Sequence, residues 1–101
     1  MFPDVLLSRT KRPNEEFRLA WDFQNDLESG DSISAYEVKA FDASDNSDQT
    51  STMIQGPSQS GTIIKAQVQA GTDAHDYWVR FEATSSQGDK WQRVVRLMVR
   101  V

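Results

Sequence analysis

Between Tyr77 and Ala83 every second residue is apolar: Tyr77, Val79, Phe81 and Ala83 alternate with Trp78, Arg80 and Glu82. Successive side chains of an extended chain point to opposite sides, so this period of two predicts a strand with one buried face. The "SSQGDK" stretch that follows has the length and glycine of a hairpin connection, and Val95, Leu97, Val99 and Val101 carry the inward parity onward. The same alternation recurs at Phe17, Leu19, Trp21 and Phe23 and is broken by "QNDLESGD". From Ile33 to Phe41 the apolar parity changes partway, from Ile33 and Ala35 to Tyr36, Val38 and Ala40, which a β-bulge near Ala35 and Tyr36 would accommodate. "TSTMIQG" reads as a short strand ended by Gly56 and Pro57. "GTIIKAQVQAG" reads as a longer one, with Ile64, Ala66, Val68 and Ala70 on one face. A short N-terminal strand is expected around Asp4 to Leu7.

These segments amount to an all-β chain of about seven strands, with turn signals about every 8–12 residues and no convincing helix. The expected fold is an immunoglobulin-like antiparallel β-sandwich, a single domain over residues 1–101. There is no cysteine among the 101 residues, so disulfides, thiolate metal sites and a cysteine nucleophile are excluded, and packing and backbone pairing must hold the fold. A domain this small needs nearly every large apolar side chain inside. Tyr77, near the start of its strand, suits a tyrosine corner whose hydroxyl reaches back to the backbone. Trp91 has inward parity and is expected to cover one end of the core. Trp78 has outward parity, beside Arg80 and Glu82.

The net charge of −4 argues against a dedicated nucleic-acid binder, whose affinity comes chiefly from basic residues neutralising phosphates. Its distribution is uneven. Residues 14–48 carry ten acidic residues against Arg18 and Lys39, and the remainder carries nine basic and five acidic ones, a split of −8 and +4. Either neighbouring strands of one molecule complement each other, or copies meet head to tail. No segment approaches the ~20 apolar residues of a membrane helix and no signal peptide is evident, so a cytoplasmic protein without a membrane partner is expected.

Candidate chemistry is sparse. His75, in "GTDAHDYW" beside Asp73 and Asp76, could in principle act as a general base for a serine, but no Gly-x-Ser-x-Gly motif accompanies it and the serines lie in loops. Asp42, Asp45, Asn46 and Asp48 offer hard oxygen ligands of the kind Ca²⁺ takes, without the spacing or distal Glu of an EF-hand. Turn formation explains the same residues, whose side chains bond to nearby backbone. No catalytic residue and no cofactor is therefore expected. The residues left as possible surface contacts are Trp78, Arg80, Arg96 and Arg100.

Three spans carry a resemblance: "FPDVLLSRT"; "FRLAWDFQNDLESGDSISAYEVKA", with its strand, Trp, polar Gly-Asp turn and Ser-Ile strand; and "AGTDAHDYWVRFEATSSQGDKWQRVVRLMVRV". Together they resemble small phage or prophage structural proteins of about a hundred residues with an immunoglobulin-like or fibronectin-like sandwich. The resemblance covers nearly the whole chain apart from Ala43 to Ser60. It implies a non-enzymatic module that binds other virion proteins or itself and is incorporated in a phage particle. The alternative is a carbohydrate- or cell-surface-binding module in which Trp78 stacks on a sugar.

Overall fold

Strand after strand, the alternating segments take the extended form their period requires. The computed structural model describes residues 5–101, in which β1 (Val5–Lys11), β2 (Phe17–Asp22), β3 (Ile33–Asp42), one helical turn α1 (Thr50–Met53), β4 (Ile54–Ser60), β5 (Ile63–Val68), β6 (Asp76–Ser85) and β7 (Lys90–Val99) follow in order. Asp4, the first residue of the expected N-terminal strand, lies outside the described residues. The strands form two sheets, ordered β1-β7-β6-β3 and β2-β5-β4. The chain is thus all-β, with seven strands divided between a four-stranded and a three-stranded sheet.

One pair departs from the expected antiparallel pairing. β1 runs parallel to β7, with Lys11 opposite Val99, whereas the other ladders are antiparallel. The chain leaves β1 by crossing to the other sheet instead of folding back in a hairpin. It is therefore free to join a strand from the far end of the sequence in either direction.

Leu19, Ile64 and Val68 from one sheet, Phe23 just past β2, and Val38, Val79, Phe81 and Leu97 from the other sheet belong to one cluster of buried side chains. Phe17, Trp21, Leu27 and Trp91 pack against it partly buried, so Trp91 takes its expected place against the core. Tyr77 is buried and its hydroxyl oxygen accepts from the backbone N–H of Thr72 at 2.9 Å, the backward reach expected of it. The parity switch in β3 is realised as an irregularity of the ladder between Ile33 and Ala35.

Five local expectations are corrected. Thr50–Met53 is a helical turn, not strand: the N–H groups of Thr52 and Met53 both reach the carbonyl of Gln49, which turns Met53 into the core. Gly56 and Pro57 do not end β4 but form a bulge between Gln55 and Ser58; Gly56 takes the positive φ of 54° that the bulge needs, and Pro57, lacking an N–H, is tolerated because β4 is an edge strand. Ala70 falls beyond β5 with φ 56°, and Val101 lies past β7 and is exposed. Tyr36 shares the parity of Val38 but sits at the sheet edge, exposed, with its hydroxyl 3.4 Å from the Pro57 carbonyl.

Lys11 breaks the rule that lysines stay at the surface. Its side chain is fully buried, and Nζ donates to the carbonyls of Arg12 at 2.8 Å, Pro13 at 3.0 Å and Ala70 at 2.6 Å, using all three of its donors. Burial lowers its pKa against the opposing pull of Glu15 and Glu16. Lys11 thereby ties the end of β1 to the loop that follows β5.

Two stability measurements follow from this packing. Phe81→Ala removes a wholly buried ring and is expected to cost about 3–5 kcal/mol in urea denaturation, enough to unfold much of the population. Lys11→Met keeps the apolar stem but leaves three carbonyls without their donor, and is expected to cost about 2 kcal/mol; an unchanged midpoint would show that water replaces the ammonium without loss.

Candidate contact face

The outward parity of β6 assembles a surface from residues far apart in sequence. Trp78 stands opposite Phe41 of β3 on one side and Arg96 of β7 on the other, and Arg80 stands between Lys39 and Val94. Three of the four expected contact residues, Trp78, Arg80 and Arg96, therefore share the outer face of the β1-β7-β6-β3 sheet. Arg100 follows β7 and joins them through Asp76. Trp78 and Phe41 are both half-buried, and Val94, although on the outward side, is only 5% exposed beneath its neighbours. The face is thus an apolar strip with cationic flanks.

Those flanks are held in place. Arg80 donates to Glu37 at 2.8 Å with its guanidinium 5.4 Å from the centre of the Phe41 ring, while its buried Nε has no hydrogen-bond partner among the described residues. Arg96 Nε donates to Asp76 Oδ2 at 3.0 Å and Arg100 donates to Asp76 Oδ1 at 2.7 Å, so one carboxylate fixes two guanidinium groups. Burial pushes the Asp76 carboxyl up, but the hydrogen bonds and charges of Arg96 and Arg100 outweigh it and hold its pKa below the usual carboxylate value. With one carboxylate shared between two cations, the group keeps a net positive charge. Ion pairs also join the two halves of the charge split, Arg93 to Asp26 and Arg80 to Glu37, so part of the split is neutralised within the molecule.

His75 does not form the constellation its neighbours in sequence suggested. Its Nδ1 lies 2.8 Å from Asp42 Oδ2, Asp73 accepts from the N–H of Val101, and Asp76 is occupied by the arginines. Ser44 Oγ donates to Asp42 Oδ1 at 2.7 Å, so the carboxylate sits between hydroxyl and imidazole instead of the imidazole between carboxylate and hydroxyl. In the Asp42–Asp48 loop, Asp45 accepts from the N–H of Ser47 and Asp48 from that of Thr50, both at 2.9 Å, the short-range pattern of Asx turns. No three acidic or histidine groups converge as a metal set among the described residues. Nor is any helix among them long and apolar enough to cross a membrane.

The family model described as podophage GP4 fiber-tail adaptor protein gp77 matches residues 11–98. The chain belongs to this family. Among curated proteins no match is found. Membership bears out the resemblance to small phage structural proteins, and the gp77 span opens at Lys11 and closes near the end of β7. Trp78, Arg80 and Arg96 lie within it, and Arg100 lies just beyond. Phe41, Val94 and the bridging Asp76 escape sequence reasoning. Their parity was readable, but only the strand register shows that they border Trp78 and its arginines.

Asp42 sets a pH dependence. Burial pushes its carboxyl up, yet the N–H and hydroxyl of Ser44 and the His75 ring lower it further, so its folded pKa lies below the ordinary value. A depressed pKa contributes stability that is present above the unfolded value and lost as pH falls through it. The urea midpoint is expected to drop between about pH 5 and pH 2, and Asp42→Asn to be less stable than wild type at neutral pH but to lose less over that window. Parallel acid limbs for the two proteins would contradict this assignment.

Proposed function

We propose that this chain is a non-enzymatic structural module of a phage particle that joins other virion proteins, in the manner the family description names, between fibre and tail. Membership of the gp77 family supports the virion setting. The observation that carries the contact reading is the outer face of the larger sheet, where Trp78 lies between Phe41 and Arg96. Tryptophan and arginine supply a disproportionate share of binding energy at protein interfaces, because they combine large contact area with directional donors. Here the arginines are already oriented, by Glu37 and by Asp76, so less side-chain freedom is lost on docking. Shape and electrostatic complementarity do the joining, and no cofactor takes part.

The partners are other phage structural proteins, with neither nucleic acid nor membrane among them, in keeping with the net charge of −4. The chain is made in the bacterial cytoplasm and then incorporated in the particle. The test is co-purification with the tail and fibre proteins encoded beside it. Trp78→Ala combined with Arg96→Glu is expected to weaken binding to one partner by about 30-fold or more while the protein stays folded. Undiminished binding to both would remove this face from the connection.

A further inference from the structure

The opposite outer face of the sandwich holds a different kind of surface. On the β2-β5-β4 sheet a concavity of about 460 Å³ is lined by Arg18, Gln55, Gly56, Ser58, Lys65 and Gln67. It exists because of the β4 bulge. Gln55 pairs with Gln67 and Ser58 with Lys65, so Gly56 and Pro57 stand against Ala66 alone, one extra residue that carries the strand out of line, and a Cβ at Gly56 would meet nothing within 4 Å.

The charged residues that line this concavity are both cationic. Arg80, Arg93, Arg96 and Arg100 are each committed to a carboxylate, and Arg9 lies over the Phe17 ring. Arg18 and Lys65 face the concavity with no ion pair among the described residues, in a chain with more acidic than basic residues. The remaining lining groups are neutral: the amides of Gln55 and Gln67, the latter donating to the Glu16 carboxylate at 3.0 Å beside the concavity, the Ser58 hydroxyl, and the small residues Gly56 and Ala66. Arg18 stands opposite Gln67, two residues along β5 from Lys65. Such diagonal neighbours are roughly 7–8 Å apart. Carboxylates on alternate residues of an extended peptide, which rises about 3.3 Å per residue, recur at nearly the same interval.

We infer that this concavity is a binding site for an extended acidic segment of a partner protein, with carboxylates on alternate residues meeting Arg18 and Lys65 and its backbone meeting Gln55, Ser58 and Gln67. A single small anion would engage one cation and leave most of the space to water. The inference goes beyond the connector reading and does not depend on the Trp78 face, which lies on the other sheet. Both faces could be occupied at once.

The test titrates the ¹⁵N-labelled full chain, at low salt, with an acetylated and amidated hexapeptide alternating Glu and Thr, alongside its Gln–Thr counterpart and inorganic phosphate. Amide shifts induced by the Glu peptide are expected at Arg18, Gln55, Gly56, Ser58, Lys65 and Gln67, to fade with added salt, and to be absent with the Gln peptide. Arg18→Ala with Lys65→Ala, at exposed positions whose loss leaves the melting temperature in place, is expected to weaken binding about tenfold or more. The proposal is overturned by no shifts at about 1 mM peptide, by shifts centred on Arg96 and Arg100, by equal binding of the double variant, or by equal shifts with phosphate, which would reveal a plain anion site.

Discussion

The alternation of β6 is the constraint on which the rest of the molecule depends. β6 is central in the larger sheet, paired with β3 on one side and β7 on the other. Its odd residues from Tyr77 to Ser85 are buried without exception, and its even ones face out. A slip of one residue in either ladder would exchange every inward side chain for an outward one, placing Trp78, Arg80 and Glu82 in the core. Core and contact face are therefore two sides of one strand, and neither can drift without the other. Because Phe41 and Arg96 reach Trp78 only through the register of β3 and β7, the hydrophobic packing of Val79 and Phe81 also holds the surface array together.

Without disulfides, the ends of the sandwich must be closed by polar groups, and one end shows how. The loop between β5 and β6 is caught from three directions. Lys11 donates to Ala70, the Thr72 N–H donates to Tyr77, and His75 meets Asp42. Gly71, at φ 95°, lets this loop lie so close that a Cβ there would be 2.8 Å from Val99 Cγ2. Backbone bonds complete the closure, from Ala74 N–H to the Val99 carbonyl and from Val99 N–H to the His75 carbonyl, each at 2.9 Å. Since Asp76 begins β6 directly after this loop, the same clamp positions the carboxylate that orients Arg96 and Arg100.

What the sequence makes legible follows from which interactions are local. Alternation is a property of neighbouring residues, so the strands, the inward run from Tyr77 to Ala83 and the tyrosine corner could all be read directly. The helical turn at Thr50–Met53 could not, because its threonines favour strand. What overrides them is the docking of Met53 and the bond from the Ala40 N–H to the Thr50 hydroxyl, contacts made by residues distant in the chain. Gly56-Pro57 carried a true signal of irregularity with two meanings, an end or a bulge, and pairing with β5 selects the second. Lys11 was invisible for a similar reason: a lone lysine in "RTKRP" reads as surface, and only the parallel docking of β1 beside β7 brings it under Ala70. The candidate site was legible as Trp78 and its arginines, but their counter-charges were not. Asp76 looked like a partner for His75, and it took geometry to show that Asp42 holds the histidine and leaves Asp76 to the arginines.

The proposed connector role requires two surfaces whose occupation does not interfere, and a two-sheet sandwich supplies them for geometric reasons. The outer faces of its sheets point in opposite directions and are separated by the buried core. In this chain the two faces also differ in kind. The larger sheet offers aromatic and aliphatic area with guanidinium groups already neutralised in part, the kind of surface on which the proposed docking would draw its affinity from burial. The smaller sheet offers cations without ion pairs among amides, so that the inferred peptide docking would rest on electrostatic attraction and backbone hydrogen bonds. Differences of this sort discourage one partner from occupying both sides, because an apolar surface gains little over Arg18 and Lys65, and an acidic one meets Glu37 and Asp76 as well as the arginines at the other face. Directionality in an assembly can then come from the chain itself, through the strand parity that separates Trp78 from Arg18.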